Sequence, residues 1–190
     1  MGDPNTKLFI TILLISSIFL YPFWCHGTLM YEKHDVRDSI NSQKTNRRAN
    51  ITIVLLTYHR ESTLLEKLLH SIIMQNFSSM CDQVKYELLI ADNGCFKSTF
   101  DTVTATLGQA SSGDNTSKNF MYHKLIPQCD NPGYAVGNNR AVQYADSTSS
   151  WILFLNDDLI LGETFIASMY NLIKKNNQHD IGAVGCKLIS

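Results

Sequence analysis

Asn156-Asp157-Asp158 sets two adjacent carboxylates directly behind an apolar run, WILFL at 151–155. Two such charges are costly to crowd unless something positive neutralises them. A hard divalent cation, Mg2+ or Mn2+, does this with one or two protein carboxylates and completes its shell with water and substrate phosphates. The plainer reading of the same residues is a helix N-cap or a solvated turn. Three more polar clusters follow apolar runs in the same way: Thr57-Tyr58-His59-Arg60, Asp92-Asn93-Gly94, and the stretch 131–139 (NPGYAVGNN). Each also has a bland reading. Asp-Asn-Gly is a good turn, and Gly133 and Gly137 can serve loop geometry alone. Their Gly-x-x-x-Gly spacing departs from the dinucleotide-binding fingerprint. His59 reads as a rim residue rather than a base.

The elements that must position these groups are short apolar runs alternating with helical stripes. ITIVLL at 51–56 is continuous and rich in β-branched residues, as a buried parallel strand requires. Thr63 and Glu66 have the spacing of a capping box ahead of Leu64, Leu65, Leu68, Leu69, Ile72 and Ile73, one face of an amphipathic helix. Further strands are predicted at 87–91, 120–125, 151–155 and 181–188, with helices at 99–107, 134–144 and 163–175. The stretch 108–118 reads as loop. Strands alternating with helices define an α/β domain with a mainly parallel sheet, which binds its ligands beyond the carboxyl ends of the strands. All four polar clusters fall at those ends.

The globular part begins near residue 50 and is long enough to enclose a core. The whole chain's net charge is −1 and no run of like charge is longer than the Arg47-Arg48 pair, which argues against a nucleic-acid-binding surface. Ahead of the globular part, 8–24 (LFITILLISSIFLYPFW) carries no charge and follows Lys7. At 1.5 Å per residue these residues span about 26 Å as a helix, enough for a signal anchor in a thin bilayer, with a cleaved signal peptide as the rival. Residues 1–7 would then be a cytosolic tail, and 25–49, polar and without periodicity, a stem. Three sequons, at Asn50, Asn76 and Asn115, are compatible with a luminal domain, and Asn115, in a polar loop, is the best acceptor of the three. Cys81, Cys95, Cys129 and Cys186 allow three disulfide pairings but suit buried free thiols equally. No C-x-x-C pair suggests structural zinc.

In order along the chain, ITIVLLTYHR, LLIADNGCFKST, NPGYAVGNNRAV, WILFLNDDLIL and IGAVGCKLIS resemble the nucleotide-binding half of the family 2 inverting GT-A glycosyltransferases, and among them the rhamnosyltransferase-like branch. The resemblance covers residues 51–190. It implies a GT-A (Rossmann-like) sheet flanked by helices and a nucleotide-diphosphate sugar as ligand. By the same resemblance Thr57 and Tyr58 line the base pocket, with Arg60 beside them. Asp92 accepts from the base, which suits UDP or dTDP. Gly133, Gly137 and Asn139 shape the wall beside the sugar, Asn156 and Asp157 lie near ribose and sugar, and Asp158 holds Mn2+ or Mg2+. Two departures stand out: Asn156 replaces the first carboxylate of Asp-x-Asp, and Asn138 replaces an Arg common in other branches.

Inverting transfer needs a carboxylate that takes the proton from the acceptor hydroxyl, and this family places it after the fifth strand. No residue up to Ser190 is assigned that role, so the chain reads as truncated within the acceptor part. The expectation is a metal-dependent, membrane-tethered glycosyltransferase, type II, in the endoplasmic reticulum or Golgi, acting on an unassigned glycan, lipid or protein acceptor. The alternative is a non-catalytic protein that binds a nucleotide sugar or a partner. A sugar nucleotidyltransferase would need a Gly-rich basic loop after the first strand, where Thr57-Tyr58-His59-Arg60 has no glycine.

Overall fold

The computed structural model describes residues 29–32 (backbone only), 49–78, 84–108, 118–175 and 183–185. The predicted anchor at 8–24, Cys81, Cys186 and the Asn115 sequon lie outside them. Among the described residues no helix is long and apolar enough to cross a membrane.

Six described strands form one sheet: β1 (Leu29–Glu32), β2 (Ile51–Thr57), β3 (Tyr86–Asp92), β4 (Phe120–Pro127), β5 (Trp151–Asn156) and β6 (Ala183–Gly185), in the order β4-β3-β2-β5-β1-β6. The four strands β4, β3, β2 and β5 are mutually parallel. Four helices accompany them: α1 (Ser62–Ile73), α2 (Lys97–Gly108), α3 (Gly133–Val142) and α4 (Phe165–Lys175). The predicted parallel α/β domain is therefore present, with element ends displaced by a residue or two.

Alternation along the strands divides the core between the two faces, because successive side chains point to opposite sides. Ile51, Ile53 and Leu55 of β2, Tyr86, Leu88 and Ile90 of β3, and Trp151, Leu153 and Leu155 of β5 join Leu65, Leu68, Leu69 and Ile72 of α1, with α2 and α4, in the larger cluster. Val54, Leu89, Ala91 and Ile152 face the other way and meet Ala141 of α3. Both faces of the central strands are covered, which is why 51–56 reads as an unbroken apolar run.

Glu87 breaks that apolar pattern from inside β3. It is fully buried, yet Thr52 Oγ1 donates to its Oε1 at 2.5 Å, the Asp146 N–H donates to the same oxygen at 2.6 Å, and the Tyr122 hydroxyl donates to Oε2. The carboxylate pins the loop before β5 to the amino-terminal end of the sheet.

Three expectations are corrected. The stretch read as a stem contributes β1, which pairs antiparallel with both β5 and β6. In consequence β6 sits at the sheet edge, separated from β5 by β1, and the described part of the predicted strand 181–188 is Ala183–Gly185. A four-residue strand without alternation gives no periodic signal, so its pairing partner decides its conformation. The capping box does not form: α1 starts at Ser62, one position ahead, with Glu61 as N-cap, and the Thr63 hydroxyl donates to Glu61 Oε1 instead.

Candidate functional site: a cleft at the sheet switch point

From β2 the chain proceeds to β3 and β4 on one side, while β5 lies on the other, so strand order reverses between β2 and β5. In open parallel sheets this switch point leaves a crevice beyond the carboxyl ends. A cleft of about 380 Å³ opens there, lined by Leu56, Tyr58, Arg60, Tyr134, Asn156, Asp157 and Asp158.

Asp157 is the structural hub. Its Oδ2 accepts from the Thr57 hydroxyl at 2.9 Å and from the Tyr58 N–H at 3.3 Å, and its Oδ1 pairs with Arg60 Nη2 at 2.5 Å. The hydrogen bond that Arg60 donates to Asp157 holds its guanidinium above its ordinary pKa, against the opposing effect of burial. Thr57 is fully buried and reaches the site only through Asp157. Asp158, by contrast, is exposed and faces the cleft. One carboxylate is thus neutralised by the protein and the next is open to the cleft. Arg60 Nε is buried without a partner among the described residues. A buried, unsatisfied donor of this kind marks a place where a further acceptor would be stabilised.

The aromatic side of the rim is braced from below. Tyr58 is half exposed, and its ring meets Phe96 edge-on at 5.5 Å; the His59 ring meets the same Phe96 at 4.6 Å. His59 has φ 52°, a left-handed conformation that turns the chain away from β2. Across the cleft stands Tyr134, half exposed, whose phenol pKa is raised first by desolvation, with the nearby Asp158 charge adding to it.

Asp92, expected beside the base, is held by its own turn. It is 2% exposed, and its carboxylate accepts from the Gly94 N–H at 3.1 Å, with the Cys95 and Phe96 amides also stabilising it. Desolvation outweighs those amides and raises its pKa. In this structure it caps the turn. Gly137 is buried against Leu56 and Asn93, where an added Cβ would come within 2.6 Å of Leu56 Cδ1 and 2.7 Å of Asn93 Oδ1. Gly133, at φ 81°, turns the chain into α3. Asn139 is exposed on α3 and does not line the cleft. The structure thus brings Tyr58, Arg60, Asn156, Asp157 and Asp158 together, keeps Thr57, Asp92 and Gly137 as supports, and adds Tyr134. Tyr134, which its sequence position alone does not single out, stands in the first turn of α3, after the loop that follows β4.

The Cys95–Cys129 disulfide ties the turn after β3 to the loop after β4. It decides between the pairings left open by the sequence, because the parallel strands β3 and β4 end side by side. Gln128 reinforces the tie, donating its N–H to the Asp92 carbonyl at 2.7 Å and its Nε2–H to the Gly137 carbonyl at 2.9 Å.

The sequence model of glycosyl transferase family 2 matches residues 52–186. The chain belongs to glycosyl transferase family 2. No curated protein sequence is significantly similar to it. Among solved structures, S. aureus TarS is similar with a TM-score of 0.50 at 16% identity, over 66% of this chain and 20% of that one. TarS 1–349 gives a TM-score of 0.49 at 16% identity, over 66% and 32%. The mannosyltransferase PcManGT from Pyrobaculum calidifontis, in complex with GDP-Man and Mn2+, gives 0.43 at 20% identity, over 59% and 28%. The likeness to TarS shows the fold, a GT-A-like, mainly parallel sheet with flanking helices. The chain spans between 20% and 32% of the length of these structures.

Proposed function

We propose that this chain supplies the donor-binding half of a membrane-tethered, inverting glycosyltransferase that takes a UDP- or dTDP-sugar, in the manner of the rhamnosyltransferase-like branch. The observation that carries the reading is the division of labour between two neighbouring carboxylates in the switch-point cleft. Asp157 is consumed by Thr57, Tyr58 and Arg60, while Asp158 is exposed and faces the open cleft.

The nucleobase packs on the exposed ring of Tyr58, which Phe96 supports. Asp92, held by the amides of its own turn, is the acceptor for the base imide, which favours uracil or thymine. Arg60 lies beside the path of the diphosphate, and its unpartnered Nε is a donor available to it. The donor set suits Mn2+ or Mg2+: a single free carboxylate, Asp158, with Asn156 at the cleft edge, is what such an ion accepts when a diphosphate completes its shell. When bound there, the ion offsets the charge that grows on the leaving diphosphate. Tyr134 closes the side of the cleft facing Asp158 and limits which sugars fit.

Luminal placement, in the endoplasmic reticulum or Golgi, is supported by the Cys95–Cys129 disulfide, since such bonds persist in oxidising compartments, and by the uncharged segment 8–24 as the tether. Titration of the purified chain with UDP, dTDP, GDP and ADP in Mn2+ tests the donor class. Tighter binding of the two pyrimidine nucleotides is expected; preference for a purine nucleotide would overturn it.

A further inference from the structure

We propose that Asn76 carries an N-linked glycan, at the end of the domain opposite the cleft; this rests on the luminal placement above. Asn76-Phe77-Ser78 is a sequon whose three side chains divide sharply. Phe77 is buried and stacks on Tyr86 at 5.6 Å, while Asn76 and Ser78 are exposed. Tyr86 is the first residue of β3 and pairs with Ile51, the first of β2, so the triplet lies at the amino-terminal end of the strands. α1 has carried the chain there from the cleft end. A glycan on Asn76 therefore leaves the domain without crossing the cleft.

The backbone around the site is firmly held, which lets it bear a bulky group without loss of packing. The Asn76 N–H donates to the Glu163 carbonyl at 2.7 Å. Next to it, the buried Gln75 donates to the Gly162 carbonyl at 2.8 Å and accepts from the Ile166 N–H at 2.9 Å. Asn76 Oδ1 accepts from the Ser78 N–H at 2.8 Å, and no described residue accepts from its Nδ2. The Nδ2 atom is the one that reacts. It bonds to the anomeric carbon of a lipid-diphosphate-linked oligosaccharide as the bond from that carbon to the diphosphate breaks, and the amide gives up one proton.

Asn50-Ile51-Thr52 is committed to the fold instead. Asn50 Oδ1 accepts from the Lys85 N–H at 2.7 Å, where pairing of β2 with β3 begins. The Thr52 hydroxyl is fully buried between Glu87 and Ser149. Asn115 lies outside the described residues; of the two described sequons, Asn76 is the exposed one with its backbone anchored.

The test is expression of the full 190-residue chain in secretory-competent eukaryotic cells, with peptide:N-glycosidase treatment in 18O-water and mass mapping of the peptides. Asn76 is expected to convert to 18O-labelled Asp, and one glycan's mobility shift to disappear in both Asn76→Gln and Ser78→Ala while persisting in Asn50→Gln. Ser78→Ala retains the asparagine and its backbone contacts, so a loss shared by both variants reads the modification rather than folding. Unmodified Asn76 in a chain glycosylated at Asn50 or Asn115, or in a chain whose Cys95–Cys129 bond has formed, overturns the assignment and leaves luminal placement standing. No glycan anywhere, together with alkylatable Cys95 and Cys129, overturns both.

Discussion

Arg60 and Asp157 face each other across the switch point of the sheet with Nη2 and Oδ1 2.5 Å apart, their side chains 30% and 12% exposed. The pair joins the segment after β2 to the segment after β5, so it braces the cleft as well as lining it. Removing either member leaves a partly buried charge without its partner, which costs about 1–3 kcal/mol. Asp157→Ala and Arg60→Ala are each expected to lower unfolding free energy by that amount in urea titrations. The double variant should lose less than the sum, the signature of direct coupling. Additive losses would show that the two do not act on each other.

Asp158 should behave otherwise. It is exposed and accepts no hydrogen bond or ion pair from the described residues, so Asp158→Ala is expected to change stability by no more than about 0.5 kcal/mol. A large loss in thermal or urea unfolding would assign it a structural role.

Gly137 is held between Leu56 and Asn93. Gly137→Ala places a Cβ 2.6 Å from Leu56 Cδ1 and 2.7 Å from Asn93 Oδ1, and overpacking of this kind costs about 1–3 kcal/mol. Gly133→Ala meets no atom within 4 Å but must adopt φ 81°, a conformation that costs an L-residue roughly 1–2 kcal/mol. Chemical denaturation of the two variants separates crowding from strain, because Leu56→Ala should relieve the Leu56 share of the first and leave the second unchanged.

Burial raises the folded-state pKa of Asp92 above the ordinary 3.8. The folded protein therefore binds this proton more readily than the unfolded chain. Its contribution to stability is fully present below pH 3.8 and is lost as pH rises through the raised folded value. Relative to Asp92→Asn, the natural chain should gain stability on acidification across that window. Matched urea titrations at neutral and acidic pH check the sign, and a difference that grows with rising pH would contradict the assignment.

Glu87, at the amino-terminal end, should matter for stability alone. Glu87→Leu strands the donors of Thr52, Tyr122 and Asp146, and a loss of about 3–5 kcal/mol is expected for opening a buried charged network. Nucleotide affinity, measured where the variant is folded, should not change.

The parallel α/β arrangement was legible because the central strands are almost wholly apolar on both faces and the four parallel strands run out into polar clusters. Those clusters also disclosed Tyr58, Arg60, Asn156, Asp157 and Asp158 as neighbours, since a parallel sheet delivers its carboxyl ends to one rim. What each residue does there was less accessible. Asp92 and Asp157 look alike in sequence, each a carboxylate at or just past a strand end. Only the surrounding amides and Arg60 show that one caps a turn and the other braces the cleft. Tyr134 was missed because a tyrosine entering a helix signals packing as readily as ligand contact. Glu87 was missed because a carboxylate within ELLIA suggests an exposed strand position, and its partners come from loops remote in sequence. Strand β1 was missed because its conformation depends on β5 and β6 rather than on its own pattern.

The most direct test of the account is calorimetric titration of the chain with UDP and dTDP, with and without Mn2+, for the natural protein and for Asp158→Ala. Binding of either nucleotide that requires Mn2+ and is lost in the folded variant is the predicted result. No nucleotide binding in the presence of Mn2+, or metal-dependent binding that survives Asp158→Ala undiminished, would contradict it.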